Sequence, residues 1–375
     1  MKSYKLFLEA KKLSTVSDYD WWKDNKDKPL DKQIQSIKKH TVVNIQNLFR
    51  YSVLDKKFNF TEYLIDNYKN DIKIERCSFG LPIDLFKKLY DNPLESIKKA
   101  ENDNELISYL YINCSSEIMK YLIDKGFRID EKYLGQVCFS ANLDLLKYLV
   151  EKIKVDINKT KENYYSKNIE NLIDSTILGM NNHYDKSYDV IEYLIQKGIK
   201  VTDYNKYNLI SSVHTPITKK LNDIYILMHE KNPELSVSFL KNGNSNYVNI
   251  IFLLWGRKMY DALEYIIKSE KNPGSLLHYF NNFLNNNDKY DDEHRNIGYE
   301  LAFEILKRNN FNLMDHDYYK HLLFNTKNSE EYWIKKLKEN PELYIYIKNF
   351  ISKSLRMKIG DFNTIKDIIK QDEWS

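Results

Sequence analysis

Apolar residues recur at three- and four-residue steps in short blocks, and each block stops after about two or three helical turns. The clearest is residues 134–158, LGQVCFSANLDLLKYLVEKIKVDIN. Leu145, Leu146, Leu149 and Val150 give its second half one apolar face, the mark of an amphipathic helix. The pattern predicts a short helix, a tight turn near Ala141–Asn142, a second helix from Leu143, and an extended exit through Asp156-Ile157-Asn158. Two helices this short cannot bury such a face alone, so they need neighbours of the same kind.

The neighbours are visible when the chain is aligned on Tyr148. The same pattern returns around Phe60-Thr61-Glu62-Tyr63-Leu64-Ile65 and Ile118-Met119-Lys120-Tyr121-Leu122-Ile123. It returns again around Val190-Ile191-Glu192-Tyr193-Leu194-Ile195 and Ala262-Leu263-Glu264-Tyr265-Ile266-Ile267. Two copies run on into Lys125-Gly126 and Lys197-Gly198, where glycine suits a left-handed helix stop. Weaker copies lie at 303–315 and 360–369.

These residues resemble the ankyrin repeat. Residues 141–158 lie along that family's second half with one extra residue near Ile153–Lys154, and Gly360 falls on its turn glycine. The family's Thr-Pro-Leu-His opening is missing, with Gly135 where the histidine would be, and Tyr109, Leu110 and Tyr111 replace its small alanines. The step is ragged. Tyr63 to Tyr121 is 58 residues and Tyr193 to Tyr265 is 72, against about 33 in a regular array. Each long gap fits two divergent units. The resemblance implies an all-α solenoid of stacked helix–turn–helix, ankyrin-like repeats with short or absent β-hairpin loops. Degenerate, Asn/Lys/Ile/Tyr-rich arrays of this kind look like those of large DNA viruses and AT-rich protists.

The expected organisation is an N-terminal helical cap over 1–46, repeats over 47–203, a divergent repeat or linker over 204–248, and further divergent repeats with a C-terminal cap over 249–375. The second pair is read as Leu85–Tyr90 with Leu94–Ala100. Trp21-Trp22 could be an exposed anchor, but reads better as cover for the open end of the first repeat. Within 204–248, Asn232-Pro233 and Asn242-Gly243-Asn244 read as breakers.

Composition adds limits. Ten glycines and seven prolines are too few for a sandwich or barrel and favour helices with short connections. The 30 tyrosines read as repeat core positions in an AT-rich coding context rather than as an aromatic binding surface. The net charge of +4 is close to balance, and the basic stretches Lys23–Lys39 and Lys335–Lys338 read as solvated faces, so no nucleic-acid partner is expected. Cys77, Cys114 and Cys138 form no CxxC pair and read as buried thiols of a reducing compartment. No apolar run approaches the ~20 residues of a bilayer span, and the N-terminus does not read as a signal peptide. A soluble, cytoplasmic protein with no membrane partner is expected, in the host cytoplasm if it is viral.

Catalytic signatures are missing. His316 and His321 lie five residues apart, not the four that share a helix face, and Asp317 reads as a helix cap. No phosphate loop, nucleophile elbow, kinase triplet or zinc-protease motif is present. No catalytic residue, cofactor or metal is expected. The expected function is a non-catalytic protein–protein interaction module that binds through its concave face and inter-repeat loops. The alternative is a self-assembling scaffold. The loop candidates for partner contact are Arg128, Glu131, Lys132, Lys154, Asp203 and Tyr204.

Overall fold

The structure is a computed structural model. It describes residues 17–39, 44–90, 104–158, 171–180, 184–211, 217–234, 236–241, 244–271 and 292–308, with single positions at 276, 335–336 and 339–340. The expected elements at 4–12, 94–100, 309–334 and 341–375 lie outside the described residues, as does the His316–His321 cluster. The chain divides into two compact units, Met1–Ile199 and Lys200–Ser375.

In the first unit the helices come in pairs, as the periodicity predicts. They are α1 (Asp18–Asn25) and α2 (Leu30–Lys39), then α3 (Ile45–Leu54) and α4 (Phe58–Tyr68). A 3-10 turn at Arg76–Gly80 precedes α5 (Ile83–Leu89). Then come α6 (Asn104–Asn113) with α7 (Ser116–Asp124), α8 (Leu134–Phe139) with α9 (Leu143–Tyr148), and α10 (Leu172–Gly179) with α11 (Tyr184–Gln196).

Successive first elements touch one another, in the order α1, α3, the 76–80 turn, α6, α8, α10. Successive second elements do the same, in the order α2, α4, α5, α7, α9, α11. Two rows result, with Leu48, Leu64, Leu110, Leu122, Val137, Leu146, Ile173 and Ile191 among the fully buried residues between them. This placement corrects the reading of Leu85–Tyr90 as a first helix. It lies in the second row, between α4 and α7. Its first-row partner is only a 3-10 turn, because Gly80-Leu81-Pro82 interrupts the chain and Glu75 with Ser78 closes a capping box there.

One turn geometry recurs inside the pairs. Lys56, Ala141 and Lys258 all take positive φ, at 54°, 51° and 57°. In each, that residue's N–H reaches the carbonyl three back and the next N–H reaches five back: Lys57 to Ser52, Asn142 to Val137, Met259 to Leu254. This is the paired closure of a left-handed helix stop. A second shared stop ends α7 and α11, where Gly126 and Gly198 sit at φ 100° and 87°. After α9 the chain differs. A π turn at Leu149–Ile153 takes up the extra residue, and Lys154 at φ 63° stands where the other copies have glycine.

The N-terminal pair packs on the next one through two tryptophans. Trp21 and Trp22 are both buried, and their rings lie 6.2 and 5.5 Å from that of Phe60 on α4. Their indole N–H groups donate to Ser36 and Asp55.

The second unit opens with α12 (Asp203–Ser211) and α13 (Lys219–Lys231). Two strands follow, β1 (Ser236–Lys241) and β2 (Asn244–Asn249), then α14 (Ile250–Gly256), α15 (Tyr260–Ser269) and α16 (Asp292–Arg308). α12 packs on α14, while α13, α15 and α16 touch in order. The strands form an antiparallel hairpin with Lys241 opposite Asn244. That is a departure from the all-α expectation. Asn242-Gly243, read as a breaker, is also the dipeptide best suited to joining two strands across two residues. The hairpin lies against α12 and α14.

Candidate interaction surface

The repeat tyrosine builds a rail along the second row. Tyr148 Oη donates to Asp124 Oδ1 of the preceding repeat at 3.1 Å, and Tyr193 Oη to Glu151 Oε1 at 3.2 Å. In the second unit Tyr265 Oη donates to Glu230 Oε1 at 2.8 Å. Asp124 and Glu151 each stand three residues after the tyrosine of their own repeat. One residue before that tyrosine stands a lysine that covers the next ring: Lys120 over Tyr148 at 5.5 Å and Lys147 over Tyr193 at 5.8 Å.

The same geometry locates the missing units in the long gaps. Lys87 lies 5.3 Å over Tyr121, so the tyrosine position of α5 is Lys88. Lys88 pairs with Asp66 at 2.6 Å and Glu62 at 2.9 Å, replacing a hydrogen bond by an ion pair. In α13 the position is Leu227, three before Glu230. In α11 the lysine and acid positions are Glu192 and Gln196, which bond to each other. The rail tyrosines therefore link one repeat to the next, with Tyr148 and Tyr265 half-buried and Tyr193 buried. Other tyrosines, among them Tyr111, Tyr188 and Tyr225, are buried in the core, as the composition reading expected. The rail phenols are held protonated: Tyr193 is pushed up to about 12 by burial and the Glu151 carboxylate.

The loop candidates lie in both units. Arg128 is exposed in the extended exit after Gly126. Glu131 is half-buried in a 3-10 turn over Glu131–Tyr133 that leads into α8, and Lys132 shares its backbone. Lys154 is exposed in the next exit. Arg128, Glu131 and Lys132 thus share one tip and Lys154 belongs to the following one. Asp203 is engaged within the second unit. It accepts from Asn232 Nδ2 at 2.9 Å and lies 3.5 Å from Lys206 Nζ. Lys206 is fully buried and donates to the carbonyls of Asn232 and Glu234, at 2.8 and 2.6 Å, closing the end of α13. Tyr204 is half-buried, with its ring 6.3 Å from Tyr207.

Sequence reading missed a groove of ≈450 Å³ on the first row, between α3, the 76–80 turn and α6. Leu54, Ile74, Leu106 and Tyr109 supply its apolar wall, with Arg50 and Arg76 beside them. Arginine was the available signal. In a chain that uses lysine almost throughout, Arg50 and Arg76 are the first two arginines, and both line this groove.

The thiols are held as thiols. Burial pushes Cys138 up to about 12, and burial also raises Cys77 and Cys114. None is a thiolate nucleophile near neutral pH. Among the described residues no group of His, Cys, Asp and Glu could hold a metal ion, and no helix is long and apolar enough to cross a membrane.

The chain is similar to an ankyrin repeat protein. That relative, so named in Acanthamoeba polyphaga mimivirus, is 27% identical over 128 residues, which cover 32% of this chain and 20% of the relative. The chain therefore matches about a fifth of the length of this curated relative. No family model and no solved structure matches.

Proposed function

We propose that the chain is a non-catalytic protein–protein interaction module. In this reading its stacked helix pairs form an ankyrin-like solenoid, with a concave face built by the first row and tips built by the inter-repeat loops. The observation that carries the reading is the recurrence of one pair geometry. The left-handed stop at Lys56, Ala141 and Lys258, and the tyrosine rail, repeat from pair to pair. The likeness to a viral ankyrin repeat protein points the same way. Quasi-one-dimensional stacks expose a long surface made of many repeats, and that is the use this architecture serves best.

The partner is a protein met in the cytoplasm, with nucleic acid and membrane excluded from the reading. Arg128, Glu131, Lys132, Lys154, Asp203 and Tyr204 are its proposed loop contacts. The test is affinity capture of the tagged chain from a eukaryotic cytosol extract, beside a variant with Arg128, Glu131, Lys132 and Lys154 changed to alanine. A stoichiometric partner, weakened in the variant, supports the module. No partner for either chain, with both recovered as self-oligomers, replaces this reading with that of a self-assembling scaffold.

A further inference from the structure

The core of the second unit contains a polar seam. On α13, Asn222, Tyr225 and His229 follow one another at steps of three and four, and all are buried. Asn222 Oδ1 accepts the Ala262 N–H at 3.1 Å. Tyr225 Oη and His229 Nδ1 have no hydrogen-bond partner among the described residues. The fully buried Lys206 of α12 acts on His229 across the seam. Lys206 also holds the chain as it leaves α13 for β1, through the carbonyls of Asn232 at 2.8 Å and Glu234 at 2.6 Å. Asn232 Nδ2 adds bonds to the Val201 carbonyl at 3.2 Å and to Asp203 Oδ1 at 2.9 Å. The crossover is thus tied to the start of α12 only three residues beyond His229.

Three charges face the ring: the Lys206 ammonium from α12, the Glu270 carboxylate from the end of α15, and the Glu230 carboxylate from α13 itself. Asp203 stands beside Lys206 at 3.5 Å and favours its charged form. Arg308 of α16 reaches the Ile267 and Glu270 carbonyls, which brings a further cation to that side. Glu230 already accepts Tyr265 Oη at 2.8 Å. No carboxylate among the described residues forms an ion pair with His229. A proton taken up by the ring therefore places a second cation near Lys206, in a seam where neither water nor a paired acid compensates it.

We infer that His229 and Lys206 form an acid-sensitive latch: a proton on His229 lifts the segment 232–249 off α12, while the first unit stays folded. Lifting this segment is the shortest route by which both cations reach water, because Lys206 is held by the crossover's own carbonyls. The hairpin that follows lies against α12 and α14 and leaves with it. The open form binds the proton more readily than the closed one. Closure is therefore favoured above about pH 6.5 and weakens by about tenfold per pH unit below it. The first unit has another window. Lys57 holds Asp27, Trp22 and Lys26 hold Asp55, and Lys197 holds Glu151 below the usual carboxylate range. Such groups stabilise above about pH 4 and lose that contribution only below it.

The test is thiol labelling of the full chain carrying Val201→Cys. Position 201 is buried where Asn232 bonds to it. The natural Cys77, Cys114 and Cys138 are buried in the first unit, so one chain reports on both units. The probe is dithiodipyridine, which reacts with thiols in acid as well as at neutral pH. Rates are read by peptide mass spectrometry and divided by those of the urea-unfolded chain at each pH. Between pH 6.5 and 4.5 the rate at position 201 should rise at least about tenfold with the natural cysteines unchanged, and His229→Gln should abolish the rise. A flat rate at position 201, an equal rise in His229→Gln, or a parallel rise at the natural cysteines overturns the inference. If His229→Gln does not fold, deuterium exchange at the ring C2 titrates His229 in the unaltered chain. A midpoint well below 6.5 is then expected, and a midpoint at the ordinary histidine value overturns the latch.

Discussion

The Tyr148 hydroxyl hydrogen-bonds to the Asp124 carboxylate across 3.1 Å, joining one repeat to the one before it. The Lys120 ammonium covers the same ring at 5.5 Å. The two contacts use both properties of tyrosine, a polar tip and a negative face. Tyr148→Phe keeps the ring and loses the hydrogen bond, so it should cost less than about 1 kcal/mol. Tyr148→Ala removes both and the packing between α7 and α9, and should cost clearly more. Urea melts of the two variants check the order. Equal costs would mean that the ring contributes nothing.

Gly179 ends α10 where that helix passes α8. A Cβ there would lie 1.8 Å from the Phe139 carbonyl oxygen and 2.6 Å from its carbon. Backbone cannot swing aside as a flexible side chain can. Gly179→Ala should therefore cost more than about 2 kcal/mol through forced separation of the helices. Gly198 is the control. It has open space but φ +87°, so Gly198→Ala should cost only the left-handed penalty of about 1–2 kcal/mol. Thermal unfolding of the pair distinguishes close approach from backbone conformation.

Lys56 takes the same left-handed conformation without being glycine, and it is exposed. Lys56→Gly should be neutral to stabilising, by up to about 1 kcal/mol, because relief of the left-handed penalty opposes glycine's greater unfolded-state freedom. A fall in melting temperature would show that the lysine side chain holds the turn.

His229 is buried on α13, and its Nδ1 has no hydrogen-bond partner among the described residues. Burial pushes it down to about 4, helped by the buried Lys206 ammonium and opposed by Glu270 and Glu230. The unfolded chain binds this proton from about pH 6.5 downward, whereas the folded chain resists it to about 4. The stabilisation is fully present above about pH 6.5 and is lost as pH falls toward 4, at about 1.4 kcal/mol per pH unit. His229→Gln should flatten stability against pH across that window by one proton's share. An unchanged slope would place His229 in contact with water.

Much of the fold was legible because α7, α9, α11 and α15 each carry an amphipathic stripe with a tyrosine in register. The stops at Gly126 and Gly198 could be read from residue type alone. Three features could not. The turns at Lys56 and Lys258 hide because lysine is no sign of a positive φ. The repeat at α5 hides because Lys88 replaces tyrosine and exchanges a hydrogen bond for ion pairs. The hairpin at 236–249 hides because Asn-Gly marks both strand turns and helix breaks. The loop candidates were readable as exposed positions for Arg128 and Lys154. Asp203 was not, since its bonds to Asn232 and Lys206 join residues far apart in sequence. The groove at Arg50 and Arg76 depends on packing between α3 and α6, which no local pattern reports.

The account stands on partner binding through the first row and the loop tips. The most direct measurement is hydrogen exchange of the chain with and without its captured partner. Protection should rise at residues 50–54, 74–77 and 106–109, and at the tips 127–132 and 154–158, with little change along the second-row helix at 184–196. Protection confined to 184–196, or none anywhere, would contradict it.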